Sequence, residues 1–244
     1  MKVLAIDAGN SRIKWGLHDG EGWLAQSWVS TAEAEQLAAA WKDLPQPDVV
    51  VVSNVAGGAV AQQLVTAVGR FKQGPRFVRS QAQQCGVRSC YEDPAQLGSD
   101  RWAALVGAWH LYQGPSVVVN AGTMMTADAL SRDGVFLGGV IVAGVDLMRE
   151  ALARATAGLR VEDGRYTFFP ASTADAIMSG AINALAGTIE RMQRFMRERG
   201  EGDPLVVLSG GAAAAVEFAL NARVEVVDNL VLEGLVRIAL ESEK

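Results

Sequence analysis

The chain is poor in the residues that assemble metal or triad centres. Its 244 residues include two cysteines, Cys85 and Cys90, and two histidines, His18 and His110. Two cysteines so far from either histidine make no zinc-type ligand set and no disulfide framework, and a Ser-His-Asp triad is equally poorly supplied. Reduced, partly buried thiols and structural or exposed histidines are the simpler reading. His18 adjoins the turn at Asp19-Gly20, and His110 comes late in an Ala- and Trp-rich helical run.

Positive charge is also lacking. The net charge is −5, and no basic cluster overrides it; Arg191, Arg194, Arg197 and Arg199 read as the solvated face of a long helix. A nucleic-acid partner is not expected. Long apolar runs are missing too: the longest, from Val135 to Val145, is broken by Gly138, Gly139 and Gly144 and falls short of the ~20 residues that span a bilayer. Only Val3 to Ile6 precede Asp7 as an apolar run, too short for a signal peptide. The expectation is a cytoplasmic protein without a membrane partner. Half the residues are apolar and a fifth are charged, so one large or two moderate domains can bury a real core.

What the chain does have is an internal repeat. Val3-Leu-Ala-Ile-Asp-Ala-Gly-Asn-Ser-Arg-Ile-Lys14 and Val117-Val-Val-Asn-Ala-Gly-Thr-Met-Met-Thr-Ala-Asp128 follow one pattern. Each is a short apolar strand, an Asp or Asn, a small residue, a glycine, a hydroxyl- or amide-bearing residue and a second strand-like run. Gly9 and Gly122 let the backbone turn tightly and bring N–H groups close to a phosphate, while Asn10, Ser11, Thr123 and Thr126 add side-chain donors. Either copy alone is equally an ordinary hairpin. A second pair repeats in the same order: Val49-Val-Val-Val-Ser-Asn-Val-Ala-Gly-Gly58 and Leu205-Val-Val-Leu-Ser-Gly-Gly211. Both halves then share one plan, and the two loops could face each other across one cleft.

The pattern predicts strands at 2–7, 11–17, 22–30, 48–53 and 76–79, and helices at 32–43, 58–71 and 99–112, with an irregular stretch at 85–98. Gly114-Pro115 punctuates the chain, which places the domains at 1–114 and 115–244. The second half predicts strands at 116–121, 124–131, 135–143, 205–208 and 223–227. Its helices are expected at 144–159, 173–199 (with Ser172 as N-cap), 211–220 and 229–241. Three hairpin-connected strands followed by alternating helix and strand, done twice, is an α/β fold of two tandem ribonuclease-H-like domains. The long helix carries Ile177, Ala181, Ala184, Leu185, Thr188, Met192 and Phe195 on one side. That side serves either packing within its own domain or a dimer seam.

Two phosphate loops bind a nucleotide; a transferase also needs a group to position the acceptor and take its proton. Gly98-Ser-Asp-Arg101, just before a helix, is the candidate, because a helix N-terminus favours a carboxylate. Ser99 or Asp100 as a plain helix cap is the competing reading.

The set Asp7-Ala-Gly-Asn-Ser11, Tyr91, Gly98-Ser-Asp-Arg101, Asn120-Ala-Gly-Thr-Met-Met-Thr-Ala-Asp128, Gly138-Gly-Val-Ile-Val-Ala-Gly144 and Ser172-Thr173 resembles the type III pantothenate kinases. These are similar in fold to the acetate and sugar kinase, Hsp70 and actin superfamily. The resemblance implies transfer of the ATP γ-phosphoryl group to pantothenate, the committing step of coenzyme A synthesis, by a homodimer that uses Mg²⁺. Asp100 matches the general base. Tyr91, Gly98, Ser99, Asp100, Arg101 and Thr173 match pantothenate-contacting positions. Asp7, Ala8, Gly9, Asn10, Ser11, Arg12, Ile13, Lys14 and Thr123 match ATP-binding ones, with Asp7 able to hold Mg²⁺ directly or through water. The family usually has Asp where this chain has Asn120, as part of a site for a monovalent cation, potassium or ammonium. Asn keeps an amide oxygen but loses the charge, so the expectation is a weakened cation response or a substitute for the cation. Two alternatives stay open: another small-molecule kinase of the superfamily, and a nucleotide-binding regulatory protein acting as a transcription accessory.

Overall fold

The computed structural model describes residues 1–156 and 162–241. They form two compact units, Met1–Gln113 with the segment from Asn229, and Gly114–Asp228. In the first unit β1 (Val3–Ala8), β2 (Arg12–His18) and β3 (Trp23–Ser30) are antiparallel neighbours. A 3-10 segment, Thr31–Gln36, leads to the four-residue α1 (Leu37–Ala40). Then come β4 (Val49–Asn54), α2 (Gly58–Val68), β5 (Pro75–Phe77), β6 (Gln83–Gln84), β7 (Val87–Ser89) and α3 (Ser99–Tyr112). The sheet order is β3-β2-β1-β4-β5, with β4 parallel to β1 and β5 parallel to β4. β1 and β4 read as continuous apolar runs because Val3–Ile6 and Val49–Val52 are all buried, as central strands covered on both faces require.

Two expectations change here. The helix at 32–43 is replaced by the 3-10 segment and α1, with a non-helical break at Glu33. Ala34, Leu37 and Trp41, spaced at i, i+3 and i+7 as one helical face would be, are nevertheless all buried in the core. The stretch 85–98 is more ordered than its composition suggests. It contains β7, which pairs with β6 across Cys85 and Gly86, and a 3-10 turn at Pro94–Gln96 whose Ala95 N–H donates to Asp93 Oδ1 at 3.0 Å.

The second unit repeats the plan. β8 (Ser116–Ala121), β9 (Met124–Leu130) and β10 (Val135–Ala143) are antiparallel neighbours. They are followed by α4 (Val145–Ala155), α5 (Thr173–Glu198), β11 (Leu205–Ser209), α6 (Ala213–Ala219) and β12 (Val224–Val226). Within the unit the order is β10-β9-β8-β11-β12, with β11 parallel to β8 and β12 parallel to β11. This is the order of the first unit strand for strand, a ribonuclease-H-like arrangement used twice. Leu159, which closed the expected helix 144–159, lies outside the described residues. Ser172 caps α5 as expected, its Oγ accepting from Asp175 N at 3.1 Å. The buried side of α5 runs through Ile182, Leu185, Ala186, Ile189 and Met196. The side expected from sequence straddles its edge: Ala181 and Leu185 are buried, whereas Ala184 is exposed and Phe195 is 45% exposed.

The last helix, α7 (Leu230–Glu241), groups with the first unit and not with 115–244 as chain order suggested. The cause is a close helix crossing. A Cβ on Gly234 would run into the Ala103 carbonyl of α3, and one on Gly107 would lie 2.6 Å from the Leu230 carbonyl. Side chains fasten the helix further: Trp23 Nε1 donates to Glu233 Oε1 at 2.7 Å, and the Cys85 N–H donates to Glu241 Oε2 at 2.9 Å. The Cys85 thiol donates to the same carboxylate oxygen, at 2.9 Å. Burial first, then this carboxylate, push that thiol up to about 12. Among the described residues no helix is long and apolar enough to cross a membrane.

Candidate active site

The hairpin between β1 and β2 is a three-residue loop, Gly9-Asn10-Ser11. Gly9 N–H donates to Arg12 O at 3.0 Å, which closes the turn. Thr31 braces it from β3's end, donating from Oγ1 to Gly9 O at 2.7 Å and from N to Ser11 O at 3.1 Å. The loop is therefore held by the Gly9 N–H and by the Gly9 and Ser11 carbonyls, and Asn10 and Ser11 are exposed. Arg12 stacks over the Trp28 ring at 4.4 Å. Ala8 and Ile13 are buried in the core, so they contribute to this loop through backbone.

Asp7 stands next to the last residue of β1, beside Lys14 on β2 and Ser53 on β4. Its Oδ1 is buried without a hydrogen-bond partner. Burial pushes its carboxyl up to about 7, and the nearby Asp100 carboxylate adds to the rise, while Lys14 and the Ser53 hydroxyl pull the other way. Two neighbouring carboxylates, one of them buried with an unpartnered oxygen, suit a divalent cation. No group of three or more His, Cys, Asp or Glu that could hold a metal occurs among the described residues.

Asp100 stands in the first turn of α3, whose N-cap is Gly98. Neither Ser99 nor Asp100 is the cap. Ser99 Oγ lies 2.9 Å from Ser53 Oγ, in a buried pair, and Asp100 Oδ1 accepts from Arg101 N at 2.8 Å. The approach to α3 is fixed by Ser80, whose hydroxyl donates to Leu97 O at 2.7 Å. Arg101 is buried. Tyr91 lines an open depression of about 480 Å³ together with Cys90, Glu92, Asp93 and Gln96. The first unit thus gathers Asp7, Lys14, Gly98, Ser99 and Asp100. Ser53 was missed as a site residue, although the recurrence of Ser-Asn-Val-Ala-Gly-Gly58 at Ser209-Gly-Gly211 marked the segment.

In the second unit the hairpin loop has two residues, Gly122-Thr123. Gly122 N–H donates to Met124 O at 3.1 Å, and Gly144 N–H donates to Thr123 O at 2.9 Å. A Cβ on Gly144 would collide with the Gly122 and Thr123 carbonyls, and one on Gly210, at φ +106°, with the Ala121 backbone. Both glycines are required by this close approach. Asn120 occupies the place of Asp7, flanked by Thr126 and Ser209. Thr123 is exposed at the loop tip, and Thr173 is exposed at the start of α5.

A glycine hairpin after the first strand of each of two ribonuclease-H-like units, with a carboxylate pair beside the first, defines the acetate and sugar kinase, Hsp70 and actin fold class. Solved structures agree. The activator of 2-hydroxyisocaproyl-CoA dehydratase from Clostridium difficile, with bound ADPNP, superposes with a TM-score of 0.53 at 14% identity, covering 99% of this chain and 95% of that one. The ROK hexokinase from Thermus thermophilus gives 0.51 at 15% identity over 100% of both chains. The family model for type III pantothenate kinase matches residues 3–194. The type III pantothenate kinase of Nitrosospira multiformis is 48% identical over 99% of this chain and 92% of its own length, and that of Aromatoleum aromaticum is 46% identical over 98% of each. The chain belongs to the type III pantothenate kinase family.

Proposed function

We propose that the protein transfers the γ-phosphoryl group of ATP to the primary hydroxyl of pantothenate, giving 4'-phosphopantothenate and ADP in the first step of coenzyme A biosynthesis, with Asp100 as general base. The observation that carries the residue assignment is the Asp7, Ser53, Ser99 and Asp100 cluster, which sets a carboxylate at a helix N-terminus beside the phosphate loop. Asp100 accepts the hydroxyl proton as the pantothenate oxygen bonds to the γ-phosphorus and the bond to the ADP oxygen breaks. The N–H groups of Asn10 and Ser11 and the hydroxyl of Thr123 bind the phosphate chain, with Arg12 and Lys14 as nearby positive charge. Tyr91, Gly98 to Arg101 and Thr173 contact pantothenate. Asp7 would hold Mg²⁺, which when bound would neutralise charge on the phosphates. Asn120 offers an amide oxygen to potassium or ammonium. The protein works in the cytoplasm as a homodimer.

The test is ADP release with Mg-ATP and pantothenate, with and without potassium or ammonium, beside Asp100→Asn. The expected result is pantothenate-dependent turnover that falls roughly 10²- to 10⁴-fold in the variant, the span of a lost general base. A near wild-type rate in well-folded Asp100→Asn removes that role. Turnover with another acceptor and none with pantothenate moves the substrate elsewhere in the superfamily.

A further inference from the structure

We infer that Ser53 is a positioning residue for the phosphoryl transfer proposed above, tying the phosphate-loop carboxylate of Asp7 to the start of the helix that carries Asp100. The inference rests on that reading of the site and adds a residue to it. Ser53 follows four buried valines in β4 and is itself wholly buried. A hydroxyl at such a position is costly unless it is hydrogen-bonded, and a fifth apolar residue would carry no such cost. It lies beside Asp7 in the parallel ladder, its hydroxyl stabilises the Asp7 carboxylate, and its Oγ is 2.9 Å from Ser99 Oγ.

Proton supply fixes the direction of this chain. A serine hydroxyl has one proton, and an ionised carboxylate only accepts. When Asp7 is ionised, as a bound cation would make it, Ser53 therefore donates to Asp7, and Ser99 donates to Ser53. Ser99 immediately precedes Asp100, whose Oδ1 is packed so close that a Cβ on Gly98 would lie 2.6 Å from it. The carboxylate is tied to the same helix turn, its Oδ1 accepting from the Arg101 N–H at 2.8 Å. The counterpart in the second unit makes a different connection: Ser209 lies beside Asn120, and its hydroxyl donates at 3.4 Å to the Asp228 carbonyl. The hydroxyl chain from strand to helix start belongs to the loop that has a carboxylate.

The experiment compares Ser53→Ala, Ser99→Ala, the double variant and Ser53→Thr in steady-state kinetics. It adds calorimetric ATP binding across a Mg²⁺ titration without pantothenate. Ser53→Ala is expected to lower kcat by about tenfold with both KM values within about twofold, as the loss of one hydrogen bond to a charged group implies. The double variant should be no worse than the poorer single, and Ser53→Thr, which returns the hydroxyl, should recover most of the rate. The Mg²⁺ needed for half-maximal ATP binding should rise about threefold or more in Ser53→Ala. Should Ser53→Ala not fold, Ser99→Ala cuts the same chain from its other end. Wild-type kcat in folded Ser53→Ala or Ser99→Ala, losses that multiply in the double variant, or an unmoved Mg²⁺ titration overturns the inference. Absence of pantothenate turnover in the unaltered protein overturns the kinase reading instead, and the Mg²⁺ titration still decides whether Ser53 holds Asp7.

Discussion

The two glycine hairpins share a strand plan and differ in what their first polar residue can do. Asp7 is a partly buried carboxylate with an unpartnered oxygen, a second carboxylate nearby and a three-residue loop braced by a threonine. Asn120 is neutral, and its two-residue loop is braced by the backbones at Gly144 and Gly210. The first arrangement stores electrostatic cost at a place where a cation and a phosphate chain would relieve it. The second stores none and is built tightly instead. Duplicating the scaffold fixes where backbone donors point, and a single side chain then decides whether the loop concentrates charge or only shapes itself around a ligand.

Making the first loop like the second should have the largest effect. Asp7→Asn is expected to cost about 10²- to 10³-fold in turnover, the several kcal/mol typical of lost metal-assisted charge stabilisation. The same variant should be more stable near neutral pH. With the folded carboxyl raised to about 7 from an ordinary value of 3.8, the ligand-free protein holds a proton that the unfolded chain has lost. Stability therefore falls as pH rises from about 4 through 7, and Asp7→Asn flattens that fall. Thermal midpoints of both proteins across this range check the sign, and parallel curves would show that Asp7 carries no such cost. Next in size, Thr123→Ala should weaken ATP binding about tenfold, the worth of one hydrogen bond to a charged group. Unchanged affinity by calorimetry would remove the second loop from the phosphate site. Gly144→Ala should cost about 1–3 kcal/mol through overpacking, read as a drop of a few degrees in melting temperature. An unchanged midpoint would mean that the second loop is not braced there. The smallest change is expected from making the second loop like the first. Asn120→Asp should raise the activity response to potassium by less than about tenfold, the scale of one added carboxylate ligand near the surface. No change would place the cation elsewhere.

The repeat was legible because apolar runs such as Val49–Val52 and Val117–Val119 announce central strands, and the glycine after each first strand announces the hairpin. Thr31–Ala40 was not, since its small and acidic residues and its apolar positions at helical spacing suit a regular helix, and nothing in them marks the break at Glu33. The side of α5 named from sequence holds both buried Ala181 and exposed Ala184, because alanine is equally at home in either place and its spacing does not say what a face packs against. Asp7 and Asp100 stood out through their motifs. Ser53 did not, because a serine ending a valine strand looks like ordinary turn chemistry until its hydroxyl is seen facing Ser99.

The grouping of α7 with the first unit bears on how a ribosome must build this chain. The unit that holds Asp7 and Asp100 is made first and finished last, since the helix that nests its Gly234 against Ala103 follows the entire second unit. Residues 114–228 are contiguous and can fold while synthesis continues. The apolar face of α3 must wait exposed for its partner during that interval. A chain truncated before Leu230 would lose part of the core beneath the proposed catalytic helix and leave its second unit whole.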